Sequence, residues 1–343
     1  MAVLNRPQLC KNCQTRPVRI EGNRVHDFCG LRCYNAFQSG ATDRGGPGGL
    51  PLPSSSSRLC KLPGCEQPTY IGPDRIPSDY CSNVHRLQAI QDGAAEMCLL
   101  CSQRPKARVN GALSDFCSRR CSEDTFKSAP LILPLDSSMA SFTKVLTTFN
   151  AHWTPEVSLP TIVKIWRIYC DKDRIDEFSR NRLAVERRIN FRGGNRKRTW
   201  YGAVRVCTVG DSEGESHLCG DSSCSVCHII RTSFHSTGEA SKGDGTADPR
   251  RPGTEICSYT MSSTADSHVV GDTRSPYRAV LFSDVIVGEA LEVAVGGDTP
   301  TEPPDGYDSV VVQLDAENRD YKAIVYDDKA ILPRFLVIYG AAV

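Results

Sequence analysis

The chain reads as α+β: small metal-stapled modules at the front, then an antiparallel β-rich domain with a helix or two at its entrance. Three observations predict this class. Cysteines recur three times in one spacing within the first 130 residues. A run over 161–189 carries apolar residues at helical intervals. Beyond residue 275 come short stretches rich in Val, Ile and Tyr with no helical pattern between them.

The first copy of the repeat has Cys10-x2-Cys13 and, fifteen residues on, Cys29-x3-Cys33. The third has Cys98-x2-Cys101 and, again after fifteen, Cys117-x3-Cys121. The middle copy reads Cys60-x4-Cys65, then Cys81-x3-His85. Asp27-Phe28, Asp79-Tyr80 and Asp115-Phe116 precede the third ligand in each copy. Each unit is too small to bury a core of its own, so a tetrahedral zinc ion is expected to hold it. His85 favours metal over disulfide, since imidazole ligates zinc but forms no S–S bond. The ligand order predicts treble-clef-like fingers: a knuckle, a short ribbon, and a second knuckle opening a helix. The expected layout is one module over 1–38, a flexible Gly/Pro/Ser linker over 39–57, and two modules over 58–128.

Net charge is +1, but residues 1–130 hold 17 Lys/Arg against 11 Asp/Glu (+6), and the remainder 24 against 29 (−5). The basic residues of the modules are scattered, which suits protein targets or scaffolding; nucleic acid is the alternative partner. No hydrophobic segment follows Met1 and no apolar run reaches membrane-span length, so no membrane partner is expected. With 17 cysteines, the chain is expected to be intracellular, nuclear or cytoplasmic, where clustered cysteines serve as metal ligands.

From residue 131 to 343 the composition changes. Ile162, Ile165, Trp166 and Tyr169 fall at i, i+3, i+4 and i+7, and Ile175, Phe178, Val185 and Ile189 resume the period, which predicts helix over 161–189. Residues 174–198 carry nine Lys/Arg against three Asp/Glu, read as a solvated face. Strands are expected at 279–287, 290–295, 309–314, 321–326 and 334–339, joined by tight connections. Neither G-x-G-x-x-G after a strand nor a P-loop is present. Gly210-Asp-Ser212-Glu-Gly214 matches a nucleophile-elbow string, but no helical pattern follows the serine, so it reads as a turn.

The stretch from Thr199 to Ser233 combines two features. Gly202, after Trp200 and Tyr201, lacks a Cβ and is expected to let a ligand approach the backbone as a pocket floor. Cys207, Cys219, Cys224 and Cys227 have zinc-compatible spacing, with His228 as a competing ligand and buried thiols as the alternative. Cys170 and Cys257 fall outside these ligand spacings.

From about Leu131 to Tyr339 the chain resembles the catalytic domain of poly(ADP-ribose) polymerase-like ADP-ribosyltransferases, in the fungal or plant-like form with a cysteine cluster. The residues that carry the likeness occur in order: Arg198-Thr-Trp-Tyr-Gly202, Cys219 to Ser233, Ser262-Ser-Thr-Ala-Asp266, Ala279 to Gly288, Gly306-Tyr-Asp-Ser-Val310, and Tyr321 to Tyr339. The resemblance implies split antiparallel β-sheets with an N-terminal helix, binding NAD+ as substrate in a cleft with a His-Tyr-Glu triad. The triad positions here hold Tyr201, then Cys257 or Tyr259, then Lys322. Gly202 would hold nicotinamide, Ala265 replaces a small hydroxyl residue, and His268 takes the second stacking position. Lys322 sets a cation where positive charge develops, opposing catalysis. Two readings follow. One is a transferase with a degenerate triad, at most a weak mono-ADP-ribosyltransferase. The other is a non-catalytic zinc-finger scaffold or binding protein on the same fold.

Overall fold

The computed structural model describes residues 8–12, 18–21, 24–30, 33–34, 37, 58–71, 78–109, 111–154, 158–235, 255–269, 274–315 and 320–340. Cys13, the 39–57 linker and most of the polar tract after Phe234 lie outside them. Residues 1–57 form one compact unit and 58–343 another.

The sequence repeat is also a backbone repeat. The amide after the first cysteine donates to the carbonyl of the Asp-aromatic pair in every copy: Lys11 to Asp27 (2.9 Å), Lys61 to Asp79 (2.9 Å), Leu99 to Asp115 (3.0 Å). Val18, Thr69 and Lys106 likewise donate to Gln8, Arg58 and Glu96, each at 2.9 Å. Ribbons β1 (Ile20–Glu21) and β2 (Arg24–Val25) form in copy one, and β3 (Arg108–Val109) and β4 (Ala112–Leu113) in copy three. In copies two and three the residue after the third ligand caps a helix. Ser82 accepts from the His85 amide to start α1 (Asn83–Gln91), and Ser118 from the Cys121 amide to start α2 (Arg119–Ser128). This N-cap fixes the fourth ligand one turn into each helix.

Copies two and three are tied by Arg108 to Asp79 at 2.6 Å and by Arg86 Nη2 to the carbonyls of Pro105 (2.8 Å) and Lys106 (3.2 Å). Burial would raise the Asp79 carboxyl, yet the hydrogen bonds from Arg108 and Lys61 hold it below its ordinary range. Copy three is docked on the large domain. Asp115 accepts from the Tyr169 hydroxyl (2.8 Å) and pairs with Arg167 (3.3 Å), and Phe116 meets the Tyr169 ring at 5.4 Å.

The large domain is built on nine strands: β5 (Leu131–Pro134), β6 (Ile162–Tyr169), β7 (Arg196–Gly202), β8 (Ile256–Tyr259), β9 (Tyr277–Ile286), β10 (Ala290–Val293), β11 (Ser309–Asp315), β12 (Asp320–Val325) and β13 (Ile331–Gly340). They lie in the order β10-β11-β12-β8-β7-β9-β13-β6-β5. Pairing is antiparallel throughout except β10 with β11, which run parallel across the long loop after Val293. The sheet is thus mixed rather than wholly antiparallel. Its two halves meet at a single residue pair, Trp200 opposite Tyr259.

The helix expected over 161–189 begins only at Lys172. Ile162–Tyr169 is strand β6, hydrogen-bonded between β13 and β5. Over eight residues an i, i+3, i+4, i+7 pattern does not separate a helix from a strand buried on both faces, and the β-branched Ile162, Val163, Ile165 and Ile168 favour the strand. Asp171 caps α4 (Lys172–Ile189) by accepting from the Asp173 amide, and Asn190 ends it in the left-handed region at φ 51°.

Two cores flank the sheet. On one face Trp200, Phe282, Phe335, Val337 and Tyr339 are buried with α3 (Ala140–Ala151, unanticipated from sequence), copy three and Ala265. On the other, Trp166, Tyr201, Leu281, Val285 and Leu336 are buried with Phe178 and Val185 of α4 and with Val226, Ile229 and Ile230 of α5 (Ser225–Thr232). The 210–214 string is a turn: Gly210 has φ 88°, and its carbonyl accepts from Trp166 Nε1 at 2.8 Å. Among the described residues no helix is long and apolar enough to cross a membrane.

Trp200 is fully buried where the halves meet, stacked on Phe282 at 4.1 Å. Trp200→Ala is expected to cost about 3–5 kcal/mol, read from the urea unfolding midpoint; a loss under about 1 kcal/mol would show the halves held by other contacts.

Candidate functional site

Four groups bring Cys or His donor atoms within 4.8 Å of one another: Cys60, Cys65, Cys81 and His85; Cys98, Cys101, Cys117 and Cys121; Cys207, Cys219, Cys224 and Cys227; and Cys10, Cys29 and Cys33. Among the described residues no cysteine is in a disulfide. The spacings suit a shared tetrahedral ion. Sulfurs 2.3 Å from zinc lie about 3.8 Å apart along a tetrahedron edge, and a sulfur and an imidazole nitrogen about 3.6 Å. Observed separations are 3.5 Å for Cys29–Cys33, 3.8 Å for Cys65–Cys81, 3.7 Å for Cys101–Cys117 and 3.6 Å for Cys117–Cys121. His85 Nδ1 lies 3.7 Å from Cys60 Sγ and 3.3 Å from Cys81 Sγ.

The fourth group is part of the sheet domain. Cys207 follows β7, Cys224 is the N-cap of α5 and Cys227 lies in its first turn. Cys207 Sγ is 3.6 Å from both Cys224 and Cys227. The Val226 amide bonds the Val204 carbonyl at 3.1 Å, and Arg231 the Cys219 carbonyl at 2.8 Å, which fixes the loop on the helix. Cys219, not His228, completes this group. Hydrogen bonds from Cys207 and Cys227 push the Cys224 thiol down, while the bond to Cys224 pushes Cys207 up to about 12. Cys170 lies outside the groups, buried, with its thiol 3.6 Å from the Pro333 carbonyl and pushed up by burial.

The residues read as a cleft gather for the most part. Lys322 is opposite Tyr259 in the β12–β8 register, and Tyr259 opposite Trp200. With strands about 4.8 Å apart, the Lys322 and Trp200 backbones lie about 10 Å apart. Cys257 sits two pairs along, opposite Ile324, in the apolar patch with Val310 and Val312. The row therefore places Tyr259, rather than Cys257, beside Lys322.

The short helix α6 (Ser262–Ser267) covers this spot. A Cβ on Gly202 would come within 2.1 Å of the Ala265 carbonyl and 3.0 Å of His268 Cβ. What the glycine admits is the helix itself. Tyr339 and Arg278 hold Asp266 (2.6 and 2.5 Å), and Ser262 bonds the Phe149 carbonyl at 2.8 Å, so α6 is pinned at both ends. His268 then stacks flat on Tyr259, ring centres 4.7 Å apart and planes 8° from parallel. Tyr201 is not part of this gathering. Strand alternation turns it to the opposite face, against Phe234 at 5.0 Å.

Two residues here escaped the sequence reading. Asp320 is buried and accepts from Thr260 (2.9 Å) and Thr264 (2.7 Å), two positions before Lys322 on the same strand. His152 accepts from Trp200 Nε1 at 3.2 Å. Burial depresses its pKa against the opposing Thr260 backbone and Asp320, which favours the neutral ring. Neither carries a motif; both reach the site through elements distant in sequence.

No family model and no curated protein matches the chain.

Zinc-replete protein is expected to carry four equivalents, one per group, measured by plasma mass spectrometry. Cys224→Ser is expected to remove one equivalent and lower the melting temperature, because the binding energy of a structural site is folding energy. Unchanged zinc content would show the fourth group to be packed thiols.

Proposed function

We propose that the protein is a zinc-stapled binding scaffold: an ADP-ribosyltransferase-like domain that does not turn over NAD, presenting zinc modules to protein partners. The direct stack of Tyr259 on His268 carries this reading. A nicotinamide ring held between them needs the outer rings about 7 Å apart, against the 4.7 Å present. The pinned helix α6 resists that opening. Lys322 supports the same conclusion, because an ammonium beside Tyr259 opposes the cation formed as nicotinamide leaves. At about 4 Å that repulsion is worth a few kcal/mol at moderate screening. Tyr201, facing Phe234, is not positioned to grip a ribose beside Tyr259.

Protein partners are favoured over nucleic acid because the module cations are scattered and several are engaged by carboxylates: Lys106 with Glu96, Arg108 with Asp79, Arg119 with Glu123, Arg120 with Asp124. The weak-transferase reading keeps one support, the gathering of Gly202, Tyr259, Ala265, His268 and Lys322.

Thermal melts with and without millimolar NAD separate the two. No shift is expected, whereas a ligand bound only by the folded state raises the melting temperature. Lys322→Glu is expected to leave NAD hydrolysis undetectable while the rings stay stacked; turnover in that variant would return the transferase reading.

A further inference from the structure

We propose that a cluster of arginines on the sheet, outside the candidate cleft, is a binding site for a phosphomonoester dianion of the kind carried by a phosphorylated protein segment. The cluster lies on the face that holds Trp200, Phe282 and Phe335, one step along the strands toward their other end. Arg198 is opposite Asp284 in the β7–β9 register, with Arg196 two residues before it. Arg198 Nε lies 3.1 Å and Arg196 Nη1 3.4 Å from the Asp284 carboxylate. Arg334 is the third guanidinium at that carboxylate, 3.5 Å away, and Arg167 follows on β6, opposite Phe335.

Three features mark this as more than a solvated charge run. The β13–β9 register shifts between Pro333 and Phe335, so Arg334 occupies a bulge, a device that re-aims one side chain out of a ladder. Its Nε is sealed from solvent and makes no hydrogen bond, the Asp284 contact lacking hydrogen-bond geometry. A buried donor of this kind is costly unless an acceptor reaches the guanidinium. Third, charge is unbalanced. Among the described residues, Arg167, Arg196, Arg198 and Arg334 pair with two carboxylates, Asp284, which is 3 % exposed, and Asp115, which pairs with Arg167. Four guanidiniums against two carboxylates leave two positive charges in excess. Burial, with Arg167 next to it, depresses the Arg334 pKa to about 10, the direction expected of a poorly compensated cation.

The excess matches the charge of about −1.5 to −2 on a phosphomonoester, and the planar guanidinium fork suits its oxygens. Arg196 and Arg198 are 44 % and 38 % exposed, so their outer ends are reachable. Single-stranded nucleic acid fits less well. It asks for exposed aromatic platforms, and the rings under these arginines, Phe282 and Phe335, are buried beneath them. The site stands whether or not the Tyr259 cleft takes NAD.

The test uses zinc-loaded full-length protein and fluorescent degenerate peptide libraries with or without a central phosphoserine, read by anisotropy. The phosphorylated library is expected to bind, the unphosphorylated one not. Arg198→Gln and Arg334→Lys are each expected to weaken binding at least about tenfold, the loss of one charge-assisted hydrogen bond. Arg198→Gln alters a half-exposed side chain and carries the test if the Arg334 variant does not fold. Equal binding of both libraries, or phosphopeptide binding indifferent to Arg198→Gln, overturns the proposal. So does Arg198-sensitive binding of oligothymidine or of ADP without phosphopeptide binding, which would assign the cluster to nucleic acid or nucleotide.

Discussion

One cross-strand row organises the large domain. Lys322, Tyr259, Trp200, Phe282, Phe335 and Arg167 are successive register partners across six strands. Trp200 holds its centre, the one residue of β7 paired with β8. Cross-strand aromatic pairs are the strongest local glue a sheet has, and here they also span the place where its hydrogen-bond ladder is thinnest. The side-chain bond from Thr199 to Ser258 (2.9 Å) and the bond from Trp200 to His152 lean on the same point. Apart from the cysteine groups, the chemically suggestive features hang from the two ends of this row: the closed ring stack at Tyr259, and the arginine cluster next to Arg167 and Phe335.

The zinc-type groups solve a different problem. Among the described residues copies one to three have little apolar interior, and the same two backbone bonds plus a ligand set take the place of a core. The fourth group is unlike them. Cys224 and Cys227 are fully buried among Val226, Ile229 and Ile230, so that group fastens α5 to the end of β7 within an existing core. It lies in the core on the face opposite the candidate cleft, the same core that holds Tyr201.

The Asp of the repeated Asp-aromatic pair shows how one motif becomes three contacts. Its carbonyl does the same work in every copy, but its carboxylate pairs with Lys11 in the first, with Lys61 and Arg108 in the second, and with Arg167 and Tyr169 in the third. The last pairing joins copy three to the sheet domain.

Much of this was readable in the chain. Ligand spacing in the modules is local, since each group closes within about twenty-five residues, and the terminal strands follow from runs of Val, Ile and Tyr bounded by turn residues. What sequence order alone left undecided depends on distant partners. Ile162–Tyr169 became a strand because β13 and β5 hydrogen-bond both its edges and a core packs on each face, and a short apolar period cannot report that. Tyr201 faces away from Lys322 because alternation along β7 turns on where Trp200 packs. Tyr259, not Cys257, stands beside Lys322 because the β8–β12 register says so, and register is set by packing rather than by residue count. The arginine cluster draws on β6, β7, β9 and β13, separated by up to 167 residues, and on a bulge that no spacing rule foretells. Local chemistry fixed which atoms could bind a metal; only the assembled sheet decided which side chains share a face.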